Sequence, residues 1–123
     1  PPVFSIFVTE LVLGWLEEQG GLGVMAQRNR AQADRLYDRI DDSEVLEGLV
    51  DREARSVMNV VFSSGSPEAD ATFLALCQQA GVIGLEGHRS VGGLRASLYN
   101  ARPEAAVDRL LEVIDAFEAE TTR

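Results

Sequence analysis

Residues 93–99 read GLRASLY and alternate between apolar and polar side chains, and this alternation constrains the fold more than any other stretch. Successive side chains of an extended strand point to opposite faces, so the two leucines and Ala96 share one face. Arg95 and Ser97 share the other face. Such a strand belongs in a sheet that has one face against a hydrophobic core and one face open. The alternation therefore predicts that Arg95 projects from the face opposite the core.

Two further stretches predict strands. Residues 56–62 (SVMNVVF) are rich in β-branched and aromatic side chains, which favour strands. Residues 82–86 (VIGLE) are predicted to pair with residues 93–99 as a hairpin-like antiparallel unit. Residues 45–50 are predicted to form either a short strand or an irregular packing segment.

Four helices complete the pattern. The first is followed by two glycines at positions 20 and 21, and the second is predicted over residues 22–40. Ser66, Pro67 and Glu68 are typical of the start of the third, and Pro103 is predicted as the first helical residue of the fourth. The order α-α-β-α-β-β-α predicts an α/β chain that resembles a small α+β domain. We expect a small, mostly antiparallel sheet with helices packed on one face.

The first helix is apolar around much of its circumference. Phe4, Leu11 and Trp15 follow helical spacing, but Ile6 and Leu13 widen the apolar stripe. A helix of this kind is buried on more than one side. Two interpretations remain open: it contacts another domain or subunit, or it is the central core helix of a small domain.

Composition narrows the classes of function. The 123 residues are 46% hydrophobic and carry a net charge of −9, which argues against nucleic acid and against an anionic membrane surface as partners. No apolar run reaches transmembrane length. Cys77 is the single cysteine and is predicted to face the core, and one cysteine with one histidine excludes a conventional zinc site. These features agree with a cytoplasmic protein.

The cationic segment, residues 87–102, stands out in this acidic chain. It contains His88, the only histidine, together with Arg89, Arg95 and Arg102, and it has no Asp or Glu. Arginine binds carboxylates and phosphates through two parallel hydrogen bonds. The segment is therefore interpreted as a site for a small, multiply anionic molecule, with a solvated turn as the alternative. The chain has no lysine, since all 11 of its basic residues are arginine, and it shows no P-loop and no GxGxxG motif.

Residues 87–101 (GHRSVGGLRASLYNA) closely resemble a segment of the phosphoserine aminotransferases. The resemblance continues through the chain, in PPVF at the start, LVLGWLEEQGG ending at Gly21, RNR in the second helix, LYD at residues 36–38 and RSVMNV at residues 55–60. The HR and GGLRAS elements are specific, whereas the helical matches are supportive only. Leu94 departs from the pattern, because that place is often held by Ile or Met.

The resemblance implies a fold-type I aminotransferase that uses pyridoxal 5′-phosphate and acts as a homodimer. Such an enzyme moves an amino group between glutamate and 3-phosphohydroxypyruvate in serine biosynthesis, and in many bacteria it also serves pyridoxine synthesis. Residues 1–123 would be its C-terminal small domain, with residues 1–20 as the helix that links it to the large domain. The large domain would bind the cofactor, so the chain is expected to be inactive alone.

The resemblance also assigns roles to three residues. Arg95 matches the arginine that holds the substrate's α-carboxylate. His88 and Arg89 match the pair near the substrate's phosphate or distal carboxylate. No catalytic, cofactor-binding or metal-binding residue is expected in this chain.

Two alternatives stay open at this point. One is the small domain of another fold-type I aminotransferase, such as an alanine–glyoxylate type, against which the His88–Arg89 pair argues. The other is a stand-alone anion-binding or interaction module, against which the very apolar first helix argues.

Overall fold

The fold was analysed in a computed structural model that describes residues 1–88 and 92–122. Four α-helices, four short strands and one 3-10 turn follow one another along the chain. They are α1 (Val3–Glu18), α2 (Gly21–Asp41), β1 (Glu47–Gly48), the 3-10 turn (Arg52–Ala54), β2 (Asn59–Ser63), α3 (Pro67–Gln79), β3 (Glu86–His88), β4 (Gly92–Ser97) and α4 (Glu104–Thr121).

The strands form one antiparallel sheet in the order β1-β2-β4-β3. Val61 of β2 lies opposite Arg95 of β4, and Glu86 of β3 lies opposite Leu94. The predicted fold class is confirmed. Two antiparallel strands flank residues 89–91, although the first of them lies later in the chain than predicted. The sheet gains β1, which adds two residues at its edge beside β2.

Helices α2, α3 and α4 cover one face of the sheet. Val60 and Phe62 of β2 are buried beneath them, as are Leu94 and Ala96 of β4. Phe73 of α3 lies at the centre of this core, with its ring edge-on to two other phenylalanine rings, at positions 62 and 117. The residues between the buried ones therefore lie on the opposite, helix-free side, which we call the open face.

Local sequence explains where most helices begin and end. Gly20 adopts a φ of +98° after α1, a conformation that favours glycine and ends the helix. Ser66 caps α3 by accepting a hydrogen bond from the Ala69 N–H at 3.1 Å, as its sequence predicts. Pro103 is the N-cap of α4 rather than its first helical residue, so the predicted start was one residue early.

The predicted third strand was misplaced. Residues 82–85 are irregular and β3 begins only at Glu86, where the prediction had ended. Gly84 has a φ of +78°, which interrupts an extended backbone. Leu85 is buried in the core without belonging to a strand, so apolar packing rather than sheet pairing accounts for this segment.

Charged contacts hold the ends of the elements together. Arg55 binds Asp41 through two hydrogen bonds of 2.8 and 2.6 Å, and its guanidinium lies 4.5 Å from the centre of the Tyr37 ring. These contacts fix the residues that lead into β2 against the end of α2. Arg39 and Glu118 form an ion pair that joins α2 to α4.

Helix α1 has no buried residue. Phe4 is 78% exposed and Leu11 is 57% exposed, although both are large and apolar. The interpretation of α1 as a central core helix is therefore wrong for this structure, and the helix presents a long apolar surface to its surroundings. In the described part of the chain, no helix combines the length and hydropathy that crossing a bilayer requires.

Candidate functional site

The open face of the sheet carries a line of residues from β2 and β4. Val61 lies opposite Arg95, and Asn59 lies opposite Ser97, so these four side chains share the face that the helices leave uncovered. Their neighbours along both strands are buried on the other face. The alternation predicted for residues 93–99 is confirmed, and it brings Arg95 to the centre of this face.

The backbone of Arg95 is held in the sheet, but none of the described residues forms a hydrogen bond or ion pair with its side chain. Its N–H donates to the carbonyl oxygen of Leu85 at 2.7 Å, and Val61 flanks it across the sheet. Its Nε is buried and has no hydrogen-bond partner, and no carboxylate of the described residues forms an ion pair with it. Arg55 Nε is also buried without a partner, but the Arg55 guanidinium binds Asp41, whereas Arg95 has no carboxylate among the described residues. A half-buried cation without a counter-ion is costly, so this geometry favours an external anion.

Two features flank Arg95 along β4. On one side, a Cβ built on Gly93 would lie 2.9 Å from both Leu49 Cδ1 and the Phe62 carbonyl oxygen, so Leu49 packs over the glycine. On the other side, Ser97 Oγ donates a hydrogen bond to Asn59 Oδ1 at 3.1 Å. Residue spacing did not reveal this second feature, although an asparagine among β-branched strand residues was a visible signal.

His88 is the last residue of β3 and lies opposite Gly92. It is exposed. Gly92 and Arg95 are three positions apart on β4, which corresponds to about 10 Å along a strand. His88 and Arg95 therefore occupy neighbouring strands at separate positions. Arg89, the third predicted site residue, lies outside the described residues.

Close backbone contact at Gly87 sets the position of His88. A Cβ on Gly87 would lie 2.1 Å from the Gly92 carbonyl oxygen and 2.5 Å from that of Gly93. No other residue fits there without separating β3 from β4. Gly87 thus allows the close approach of β3 to β4.

An apolar groove of about 610 Å³ lies between α1 and the residues at one end of β2 and β4. Its walls are Leu11 and Trp15 of α1 on one side and Met58 and Tyr99 at the ends of the strands on the other. Asn100 lies in the same groove and accepts a hydrogen bond from Asn29 Nδ2 at 2.7 Å, which ties this end of the sheet to α2.

Reactive side chains are sparse in the described structure. Cys77 is buried among apolar residues, and this burial raises the pKa of its thiol to about 11, so the side chain behaves as a small hydrophobe. Its predicted place in the core is confirmed. Across residues 1–88 and 92–122, no group of three His, Cys, Asp or Glu side chains is arranged to bind a metal ion.

Comparison with known proteins gives a consistent result. The family model described as aminotransferase class-V matches residues 1–110. A phosphoserine aminotransferase of Bacillus cereus is 45% identical over 120 residues, which are 98% of this chain and 33% of that protein. One of Lactiplantibacillus plantarum is 48% identical over 119 residues, which are 97% of this chain and 33% of that protein. The chain thus spans about a third of the length of the curated relatives it matches.

Solved structures agree with these matches. The phosphoserine aminotransferase of Bacillus circulans subsp. alkalophilus superposes with a TM-score of 0.93 and 43% identity, over 98% of this chain and 34% of that one. A pyridoxal-phosphate-bound phosphoserine aminotransferase from Trichomonas vaginalis gives a TM-score of 0.86 at 38% identity, over 94% of this chain and 33% of that one. The resemblance seen in the sequence is confirmed.

Proposed function

The chain belongs to the class-V aminotransferase family, and from this premise we propose that it is the substrate-holding part of a phosphoserine aminotransferase. The complete enzyme would transfer the amino group of glutamate to 3-phosphohydroxypyruvate, and the products would be 2-oxoglutarate and phosphoserine. This reaction would serve serine biosynthesis. Residues 1–123 would form the C-terminal small domain.

Arg95 is the observation that carries the proposal. Its guanidinium lies on the open face with a buried, unpartnered Nε, and no described carboxylate neutralises it. Every substrate and product of the proposed reaction has an α-carboxylate. A guanidinium binds a carboxylate through two parallel hydrogen bonds, which fix the orientation of the substrate as well as its position. We assign Arg95 to this role, in agreement with the sequence resemblance.

His88 and Arg89 are proposed to hold the second anionic group of each substrate. That group is a phosphate in phosphoserine and a side-chain carboxylate in glutamate, so the same cationic pair would serve both halves of the reaction. For His88, which the register pairs with Gly92 and not with Arg95, the support is the sequence resemblance. For Arg89 the support is the sequence resemblance.

Pyridoxal 5′-phosphate is the proposed cofactor of the complete enzyme. The residues of this chain do not form its covalent site, because the chain has no lysine that could bind its aldehyde. No described residue is assigned to the cofactor, and no catalytic residue is assigned to this chain. The remainder of the enzyme would supply both, so the chain alone would be inactive.

Helix α1 is proposed to connect this domain to the cofactor-binding domain, as residues 1–20 of the chain. Its exposed apolar side chains support this role, since a surface of this kind is normally covered by another domain or subunit. We also propose a homodimeric, cytoplasmic enzyme with a second role in pyridoxine synthesis. The support for these last points is the family resemblance.

The complete polypeptide tests the proposal through its kinetics. The wild-type enzyme should transaminate 3-phosphohydroxypyruvate with glutamate. Arg95→Ala should raise KM for both substrates by about 100-fold, because two hydrogen bonds between charged groups are lost. Arg109→Ala is the matched control, since it removes an exposed arginine whose partners among the described residues are Glu112 and the Ala80 carbonyl oxygen. It should leave both KM values unchanged.

Arg89→Ala separates the phosphate role from a general loss of charge. It should harm turnover of phosphoserine more than turnover of alanine, which has no second anionic group. Equal losses of turnover for phosphoserine and alanine would contradict a phosphate-binding role for Arg89. A wild-type enzyme that does not turn over the phosphorylated substrate would refute the proposed function itself.

A further inference from the structure

Asn59 and Ser97 form a hydrogen-bonded pair directly beside Arg95 on the open face. They lie opposite each other on β2 and β4, while Arg95 lies two residues from Ser97 on the same strand and the same side. Asn59 is therefore a diagonal neighbour of Arg95. Such neighbours are about 7–8 Å apart at the backbone, within reach of a long side chain.

The hydrogen bond between the pair determines which end of the Asn59 amide faces outward. Ser97 Oγ donates to Asn59 Oδ1 at 3.1 Å, so the carbonyl end of the amide is directed at Ser97. The nitrogen end points away from Ser97. Asn59 Nδ2 donates no hydrogen bond to any described residue, and the side chain is only half-buried. Two N–H donors are thus left available on the open face.

Arg95 and Asn59 together present donors without an acceptor. The guanidinium has five N–H groups and no acceptor, its Nε is buried and unpartnered, and the Asn59 amide adds two more N–H groups. Val61 lies opposite Arg95 and two residues from Asn59 on β2, and its side chain has no polar atom. A carboxylate has about four lone-pair sites on two oxygens, so two parallel hydrogen bonds from Arg95 leave other lone pairs of the carboxylate free to accept.

We propose that Asn59 is a second donor to the carboxylate that Arg95 holds, and that Ser97 is a positioning residue that orients the Asn59 amide. This inference rests on the proposed function and deepens it. Arg95 alone would fix the carboxylate within the plane of the guanidinium. A further hydrogen bond from Asn59 on β2 would stop the carboxylate from turning out of that plane. The two strands would then orient the substrate together.

Two substitutions at Asn59 separate this role from a structural one. Asn59→Ala removes both the donor and the acceptor. Asn59→Asp keeps an acceptor for Ser97 but replaces the donor with a negative charge. If Asn59 donates to a carboxylate, Asn59→Asp is the more harmful change. If Asn59 only accepts from Ser97, Asn59→Asp is the milder one, and this order would overturn the proposal.

The measurement is steady-state kinetics of the complete enzyme with glutamate and with phosphoserine. Asn59→Ala should raise KM for both substrates about tenfold, as expected for the loss of one hydrogen bond to a charged group. Asn59→Asp should raise KM further, and kcat should change less than KM. Gln78→Glu makes the same amide-to-carboxylate change at an exposed position of α3, on the other side of the sheet, and should leave KM unchanged.

Ser97 is tested by rescue. Ser97→Ala should raise KM a few-fold, because the amide of Asn59 loses its orientation. Ser97→Thr keeps a hydroxyl on a strand-compatible side chain and should restore KM to near the wild-type value. Equal KM values for the two Ser97 variants would exclude the positioning role.

Binding of glutarate distinguishes failure of this inference from failure of the proposed function. Titration calorimetry of the same proteins with glutarate requires no turnover. The dissociation constant should rise about tenfold for Asn59→Ala and more for Asn59→Asp. An Arg95→Ala effect without any Asn59 effect would overturn this inference and leave the proposed function standing. If the wild-type enzyme is inactive, the order of the Asn59 variants in glutarate binding still decides the donor role.

Discussion

Among the described residues, three ion pairs join α2 to α4, since Arg39 pairs with both Asp115 and Glu118 while Arg35 pairs with Asp108. Of these, the Arg39–Glu118 and Arg35–Asp108 pairs differ clearly in burial. In the Arg39–Glu118 pair both side chains are only 22% exposed, whereas in the Arg35–Asp108 pair they are 47% and 52% exposed. Glu118 also accepts hydrogen bonds from Ser43 Oγ and the Glu44 N–H, both at 2.8 Å. We predict that the first pair contributes measurably to stability and the second does not.

The magnitude follows from the partners of Glu118. A hydrogen bond to a charged group contributes about 1.5–3 kcal/mol, and an exposed ion pair contributes about 0.2–1 kcal/mol. The coupling between Arg39 and Glu118 should therefore lie near 1–2 kcal/mol, between these limits. Glu118→Gln keeps acceptor capacity but turns an N–H towards Arg39. It should shift the urea midpoint by about 1 M if the destabilisation is about 2 kcal/mol.

The assay is a double-mutant cycle measured by urea unfolding. Arg39→Met, Glu118→Gln and the double variant give the coupling for the first pair. Arg35→Met, Asp108→Asn and their double variant give the matched control, which should stay below about 0.5 kcal/mol. Equal coupling energies for the two pairs would refute the argument from burial.

The same pair predicts a dependence on pH. The hydrogen bond from Arg39 is the largest cause that holds the pKa of Glu118 below its usual value, and hydrogen bonds from the Glu44 N–H and Ser43 Oγ lower it further. A glutamate in an unfolded chain has a pKa of about 4.3. The contribution of Glu118 should be complete above that value and should be lost as the pH falls through its lower folded-state pKa. A coupling energy between Arg39 and Glu118 that increased as the pH fell would contradict this prediction.

Two further predictions concern Gly87 and Cys77. Gly87→Ala would bring a Cβ within 2.1 Å of the Gly92 carbonyl oxygen, so it should separate β3 from β4. Hydrogen exchange at the Arg95 N–H should then be about 30-fold faster, which is equivalent to about 2 kcal/mol. Gly14→Ala, which meets no atom within 4 Å, should have no such effect, and unchanged exchange in Gly87→Ala would contradict the geometry. The buried Cys77 thiol, with its pKa raised to about 11, should react with Ellman's reagent at pH 8 about 100-fold more slowly in the folded chain than in urea, and equal rates would contradict its burial.

Local patterns predicted the elements whose cause is local. The alternation of residues 93–99 correctly separated buried from open-face side chains, because the two-residue period is a property of the extended backbone itself. The start of α3 was predicted because the Ser66 cap and Pro67 act within one turn. Helix α2 formed where the sequence predicted it, and its buried residues, which include Met25 and Leu36, recur at helical spacing.

Predictions failed where a distant partner decides the structure. Residues 82–86 have the composition of a strand, but Leu85 enters the core and β3 forms only where Gly87 can approach β4. Residues 45–50 left two possibilities open, and pairing with β2 selected a two-residue strand at Glu47–Gly48. Neither result depends on local propensity, because strand pairing is made between segments far apart in the chain.

The sequence by itself determined the four helices and their order, the face on which Arg95 projects and the family to which the chain belongs. These follow from backbone periodicity, from short capping motifs and from a specific stretch of residues. Only the tertiary structure decided that Arg95 Nε is buried without a partner and that Asn59 lies beside it. Asn59 and Ser97 are 38 residues apart in the sequence, and the register of two antiparallel strands brings them into contact. The environment of a side chain depends on such pairings, which no local pattern records.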